Sequence, residues 1–270
     1  MSTRQASLED AADLIAPGGV VALTGAGISA ESGIPTFRDP GGLWDSFDPE
    51  EFGTWEGMAR TALTRPDDLA RFLGVLRQAL TRARPGPGHL ALAHLEARGI
   101  VEGVVTQNVD GLHQDAGSHR VVELHGSFRR RACLACGRRE VIGRREFLDD
   151  LDRAIAGLRS AFVPSLDAVL PRCSACGGAA RPDFVAFGEP VPAYAEAEQL
   201  ARACRVLLVV GTSGEVFPAA SLPGEARSAG STVVEVTPGP TQVEADLRLE
   251  GQAGAVLISL TGLVRTLPGL

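Results

Sequence analysis

The chain has 270 residues, 44% hydrophobic and 22% charged, which supports a substantial core in one large domain with a smaller satellite and excludes a disordered or fibrous protein. A formal net charge of -7 argues against a general binder of nucleic acid or anionic membranes, although "RRRACLACGRRE" at 129–140 is a local basic patch. The opening "MSTRQASLEDAADLIAPGG" has no uninterrupted apolar signal core, and no later run reaches the roughly 20 apolar residues of a membrane span. A cytoplasmic protein is expected.

In chain order, "SLEDAADLIA" predicts a helix with Ser7 as its N-cap, stopped by Pro17 and Gly18. Short apolar runs predict strands at 19–25, 103–108, 120–126, 183–189 ("DFVAFGE"), 205–212, 231–237 and 255–260 ("AVLISL"). Most lack polar alternation, as in parallel strands covered on both faces. The stretch 41–88 reads as helical and strand-free, with Leu69, Phe72, Leu73, Leu76 and Leu80 on one stripe of "RPDDLARFLGVLRQALTRAR". The expected fold is α/β, a doubly wound Rossmann-like parallel sheet built from 1–40, 89–127 and 181–270. The segments 41–88 and 128–180 would form a small domain.

Within 128–180 lie Cys133, Cys136, Cys173 and Cys176, two Cys-x-x-Cys pairs that each run into a glycine. In a reducing compartment this set suits a closed tetrahedral zinc site, structural because no position stays open for substrate; a redox or incidental role is the alternative. The spacing between the pairs predicts an inserted helix. Cys204 reads as a buried core residue.

Polar clusters follow four strands, where an α/β sheet keeps its ligand crevice: "TGAGISAESGIPTFRDPGGLW" from residue 24, "TQNVDGLHQDAG" from 106, "ELHGS" from 123 and "GTSGEVFPAA" from 211. Gly25 and Gly27 would let backbone approach a phosphate, yet glycines here also serve packing alone, and Ala30 replaces the third glycine of the usual dinucleotide fingerprint.

Together with the cysteine quartet, in this order, these motifs closely resemble the sirtuins, the NAD-dependent protein lysine deacylases, of the bacterial type. The resemblance runs from about residue 8 to the C-terminus. It implies that His125 is the general base, with Asn108 and Asp110 also catalytic. It implies that Gly25, Ala26, Gly27, Ser29, Ile34, Phe37, Arg38 and Trp44 hold NAD from the flexible loop, Gln107, Asn108, Val109 and Asp110 hold its nicotinamide side, and Gly211, Thr212, Ser213, Thr237 and Ala253 hold its adenosine side. Val185, Phe187, Gly188 and Glu189 would receive the acylated peptide as an added strand, and Leu73 and Leu76 would line the acyl pocket. NAD would be consumed as a co-substrate, giving nicotinamide and O-acyl-ADP-ribose, with one structural zinc per chain.

Two positions depart from many members: Thr36 stands where Asp is common, and Thr237 where an Asn faces the adenosine ribose. Succinyl-preferring members resemble one another in a Tyr-x-x-Arg pair on the helical insertion; the one tyrosine here, Tyr194, lies elsewhere. An uncharged acyl group is therefore expected, although a one-residue gap would bring Arg77 near the pocket. The alternatives are an NAD-dependent protein mono-ADP-ribosyltransferase, a noncatalytic NAD-binding module and an ordinary Rossmann oxidoreductase.

Overall fold

The computed structural model describes residues 4–38, 40–160 and 164–264. Strand β1 (Arg4–Gln5) and helix α1 (Leu8–Ile15) lead into β2 (Val20–Thr24). Ser7 caps α1: its hydroxyl accepts from the Asp10 amide at 3.1 Å, and the Asp10 carboxylate accepts from the Ser7 amide at 3.4 Å. This pair satisfies amides that a helix start otherwise leaves unpaired. Helices α2 (Gly27–Ala30), α3 (Leu43–Ser46), α4 (Pro49–Phe52), α5 (Trp55–Thr64), α6 (Pro66–Arg82) and α7 (Pro87–Ala97) precede β3 (Val101–Thr106), α8 (Leu112–Asp115) and β4 (Val121–Glu123). The cysteine-bearing part comprises β5 (Gly126–Cys133), β6 (Arg139–Val141), α9 (Arg144–Leu158) and β7 (Ala180–Phe184). Then follow α10 (Tyr194–Ala203), β8 (Val206–Val210), α11 (Leu222–Ser228), β9 (Thr232–Thr237), β10 (Leu247–Glu250) and α12 (Ala253–Leu263).

Seven strands form a parallel sheet in the order β1-β10-β9-β8-β2-β3-β4. Every residue of β2 and β8 is buried, because helices cover both faces. Ile15, Leu92 and Leu257 from α1, α7 and α12 fill one face, and Leu200 and Leu222 from α10 and α11 fill the other. From β2 the chain proceeds outward through β3 and β4, then returns on the opposite side of β2 to begin β8. That reversal places a crevice at the carboxyl ends of β2 and β8.

Register brings the motifs into that crevice. Thr24 pairs with both Thr106 and Val210, Thr106 pairs with Glu123, and Val210 pairs with Val236. Gly25, Gln107, Gly211 and Thr237 therefore emerge side by side, with His125 two residues past the end of β4.

A second, antiparallel sheet has the order β6-β5-β7, and its first residue follows His125 directly. The stretch 41–88 is helical as expected and packs with α9 around Leu69, Phe72 and Leu158. Its Phe47, Phe52 and Phe72 rings lie with centroids 5.1 to 5.2 Å apart. The helix expected between the cysteine pairs is α9.

Two expected strands are different. "AVLISL" lies in α12, which packs between α1 and α7 and buries Val256, Leu257 and Leu260; a short apolar run does not separate a buried helix from a buried strand by its periodicity. "DFVAFGE" is not a strand of the parallel sheet: β7 belongs to the small sheet and ends at Phe184. Beyond it the Val185 amide donates to the His125 carbonyl at 2.8 Å and the Glu189 amide returns to the Ala186 carbonyl at 3.1 Å, so the segment turns. Among the described residues no helix is long and apolar enough to cross a membrane.

Candidate functional site

The glycine loop after β2 is shaped by the turn after β8. Gly25 and Gly27 donate to the carbonyls of Val210 and Gly211 at 3.0 and 2.8 Å. A Cβ on Gly27 would stand 2.7 Å from the Gly211 Cα, and Gly211 itself has φ +63°. The glycines thus let two backbones touch, and α2 starts from that contact.

Around this contact sits a buried polar network. Asn108 Nδ2 donates to the Gly25 carbonyl and to Ser29 Oγ, both at 3.0 Å, and Ser29 Oγ donates to Asp110 Oδ2 at 2.8 Å. The Leu112 amide donates to Asp110 Oδ1 at 2.9 Å. Burial pushes the Asp110 carboxyl above its ordinary value, opposed by those two hydrogen bonds and by Arg144 and Arg129. Gln107 Nε2 donates to Thr212 Oγ1 at 2.9 Å, tying the end of β3 to the β8 turn.

Two further histidines support the network from below. His89 Nδ1 accepts from the Gly86 amide at 3.2 Å, which leaves Nε2 to donate toward Ser29 Oγ at 3.4 Å. His113 Nε2 meets Thr24 Oγ1 at 2.9 Å, and Thr24 Oγ1 donates to Thr106 Oγ1, also at 2.9 Å. Thr106 Oγ1 in turn accepts from the Asn108 amide at 3.1 Å. The rings of His89 and His113 lie 4.8 Å apart edge to face. Burial lowers their pKa values to about 4 and about 3, so both are neutral at physiological pH.

His125 has the features of a base. Its Nδ1 lies 3.0 Å from the Gln107 carbonyl oxygen, which only accepts, so Nδ1 carries the proton and Nε2 the lone pair. Burial lowers its pKa below the ordinary value, against the Gln107 hydrogen bond.

The loop after α2 crosses over this region. The Leu43 and Trp44 amides donate to the carbonyls of Thr36 and Phe37 at 2.9 and 3.0 Å, and the Phe37 and Trp44 rings lie 5.4 Å apart. Arg38 reaches Glu215, beyond the β8 turn, at 3.5 Å. The Trp44 indole N–H is buried without a hydrogen-bond partner among the described residues, and Phe37 is 42% exposed. Ile34 packs instead toward Leu80 and Phe147. On the far side, Ala253 opens α12, whose Gly254 amide donates to Glu31 at 2.7 Å.

The four expected cysteines converge. Cys133 Sγ and Cys176 Sγ are 3.5 Å apart, Cys136 Sγ and Cys173 Sγ 3.9 Å, and all four sulfurs lie within 4.8 Å of one another. Four sulfurs about 2.3 Å from one tetrahedral ion are about 3.8 Å apart, so the set fits zinc. Gly137 and Gly177, at φ +72° and +73°, close the two knuckles, their amides donating back to the Cys133 and Cys173 carbonyls at 3.1 and 3.0 Å.

A family model described as "Sir2 family" matches residues 25–218, a span that contains the glycine loop, the crevice and all four metal-site cysteines. The chain belongs to the Sir2 family. A protein of Pyrobaculum aerophilum named NAD-dependent protein deacylase 2 is 47% identical over 249 residues, covering 91% of this chain and 90% of that relative. The NAD-dependent protein deacylase of Desulfosudis oleivorans is 41% identical over 233 residues, covering 86% and 85%. Among solved structures, a Sir2 homolog in complex with NAD matches with a TM-score of 0.79 at 34% identity, covering 98% of this chain and 96% of that one. Sir2Af2 bound to a myristoylated histone peptide matches with a TM-score of 0.70 at 34% identity, covering 95% of each chain.

Within this Sir2-family chain, Gln107, Asn108, Asp110, Ser29, Gly25, Gly27, Gly211, Thr212 and His125 come together. Other expected site residues have internal engagements. Thr237 Oγ1 donates to the Gly239 carbonyl at 2.9 Å, so its hydroxyl is used in its own turn. Leu73 and Leu76 are partly buried against the aromatic cluster of the helical stretch. Arg77 forms a two-pronged, exposed pair with Asp152 of α9, at 2.7 and 2.8 Å. The sequence reading missed His89, His113 and Thr24. Their only local signals, a Gly86–His89 helix start and a polar end to an apolar strand, are common in proteins without such a network.

Proposed function

We propose that the chain is an NAD-dependent protein-lysine deacylase that removes uncharged acyl groups and releases nicotinamide and O-acyl-ADP-ribose. The observation that carries this reading is the neutral His125, its tautomer set by Gln107, beside the Asn108–Ser29–Asp110 network at the switch point of a Sir2-family sheet. The names of the relatives and the peptide-bound neighbour support it.

NAD, when bound, supplies an electrophilic ribose carbon whose leaving group is nicotinamide. The crevice fits it: glycine backbone, an amide-rich rim at Gln107 and Asn108, and the unpaired Trp44 N–H are suited to a polar dinucleotide. Asn108 and Asp110 orient the nicotinamide side, Arg38 faces the diphosphate, and Phe37 with Trp44 excludes water. Ala26, Ile34 and Val109 shape the loop walls; Thr212, Ser213, Thr237 and Ala253 border the adenosine side. His125 Nε2 takes a proton from a ribose hydroxyl, which allows that oxygen to accept the acyl group. The acyl group would thus move from lysine to ADP-ribose, the acyl oxygen taking the ribose carbon that nicotinamide leaves and one water supplying the ester's carbonyl oxygen, which makes the enzyme a transferase.

Acylated lysine enters beside Val185, Phe187 and Gly188, with Leu73 and Leu76 toward the acyl chain. Engagement of Arg77 by Asp152 supports an uncharged acyl group, since a carboxylate would meet leucine rather than a free cation. Zinc held by Cys133, Cys136, Cys173 and Cys176 is structural. The large unit comprises 1–40, 89–127 and 181–270, of which 1–3, 39 and 265–270 lie outside the described residues, and 41–88 with 128–180, of which 161–163 lie outside them, make the small one. A cytoplasmic location agrees with the thiol set and with the absence of a spanning helix among the described residues. The test is nicotinamide release with an acetylated peptide, with the same unmodified peptide and with no peptide: release that follows acylation supports the reading, and release indifferent to it contradicts it.

A further inference from the structure

The segment that follows β7 is held by its own Glu189, by Arg181 of β7 and by Trp55 of α5. Glu189 folds back under it, so that Glu189 Oε2 accepts from the Ala186 amide at 2.9 Å and from Trp55 Nε1 at 3.1 Å, while Oε1 accepts from Arg181 Nη2 at 2.7 Å. The Arg181 guanidinium lies 4.5 Å above the Trp55 ring, and that ring sits 4.8 Å from Phe184. A second anchor lies two residues before Trp55, where the Gly53 carbonyl accepts from the Phe187 amide at 2.9 Å. A Cβ on Gly53 would stand 2.5 Å from Phe187 Cδ2, so the Phe187 ring rests against backbone that only glycine leaves bare. The junction of α4 and α5 therefore grips the segment at Phe187 and Glu189.

We propose that Trp55, Arg181 and Glu189 are positioning residues, a brace through which the helical stretch holds residues 185–188 in the shape that receives the acylated peptide. The proposal rests on the deacylase reading and gives Glu189 a bracing role in place of direct contact with substrate. A peptide that adds as a strand gains affinity from main-chain hydrogen bonds, and that gain shrinks when the receiving edge must first be ordered. β7 has ended at Phe184 and the Val185 amide makes the last sheet-side bond, to the His125 carbonyl; beyond it the order comes from the Glu189 carboxylate, with an ion pair to Arg181 of β7 and a charge-assisted bond from the Trp55 N–H. None of the three residues touches the network at the ends of β2, β3 and β8. The Phe187 ring lies 6.1 Å from the Trp44 ring of the NAD loop, so loosening the brace should weaken peptide binding much more than NAD handling.

Trp55→Phe keeps an aromatic ring and removes the N–H; Glu189→Gln keeps the shape and removes the charge. With an acetylated peptide, each variant should raise the peptide KM about five- to twentyfold while kcat and the KM for NAD stay within about twofold. The double variant should be little worse than the worse single one, because both act through one contact. An unchanged peptide KM in folded variants, a matching loss in kcat and NAD KM, or fully additive effects would overturn the brace. Hydrogen exchange on the unaltered chain gives a test that needs no variant: the Ala186 and Phe187 amides should be protected before peptide is added, and exchange at the rate of an open loop would contradict the proposal. Absence of any NAD-dependent acyl removal by the unaltered chain would instead remove the deacylase reading, leaving the exchange result to judge the brace alone.

Discussion

His125 donates its Nδ1 proton to the Gln107 carbonyl 3.0 Å away, so the residue that begins the Q-N-V-D turn also fixes the tautomer of the proposed base. Because burial lowers the His125 pKa below 6.5, the neutral, proton-accepting form persists into mildly acidic solution. Activity should rise with pH on an acid limb whose midpoint lies below 6.5. His125→Ala should lower kcat about 100- to 10,000-fold and leave the circular dichroism spectrum intact. Near-normal turnover in the variant would exclude His125 as the base.

The buried pair beneath the site makes stability pH-dependent. His89 and His113 titrate near 4 and 3 in the folded chain against 6.5 ordinarily, so between those values the unfolded chain binds more protons. Stability is full above 6.5 and is lost as pH falls toward 4, by up to about 2 kcal/mol per histidine at pH 5. Urea unfolding should show this loss between pH 7 and pH 5, and His113→Gln should remove roughly half of the histidine contribution. A flat profile over that range would contradict the neutral pair.

Metal analysis should find one zinc per chain. Cys133→Ser should release it and destabilise the β5–β6–β7 sheet, since Cys133 ends β5 and its thiolate is one of the four that would tie the two knuckles together. Intact metal content in the variant would count against a four-thiolate site.

On one peptide, acetyl or a longer uncharged acyl group should give kcat/KM about tenfold or more above succinyl. Arg77 is paired with Asp152, and Leu73 and Leu76, the residues proposed to face the acyl chain, would offer no partner for a carboxylate. A succinyl preference would refute the apolar pocket.

Much of the site was legible in the sequence because its parts are strand-terminal clusters, and a parallel register necessarily brings strand ends together. The cysteine quartet was legible for a similar reason: the knuckle spacing and its glycines are local. What was not legible depends on tertiary partners. "AVLISL" is too short and too uniformly apolar to show its period, with Ile258 exposed and Val256, Leu257 and Leu260 buried, so contact with α1 and α7 is what marks it as a helix. "DFVAFGE" is apolar enough for a strand, but the His125 carbonyl and Glu189 carboxylate take its amides and bend it. β1 and β10 were missed because two and four residues give no pattern. The contact between Trp55 and Glu189, 134 residues apart, has no counterpart in local sequence.

The most direct test of the account is mass spectrometry of both products after incubation with NAD and an acetylated lysine peptide. The account predicts a peptide lighter by one acetyl group, with nicotinamide and O-acetyl-ADP-ribose formed in equal amounts. A peptide or protein heavier by ADP-ribose, with the acetyl group retained, would contradict it.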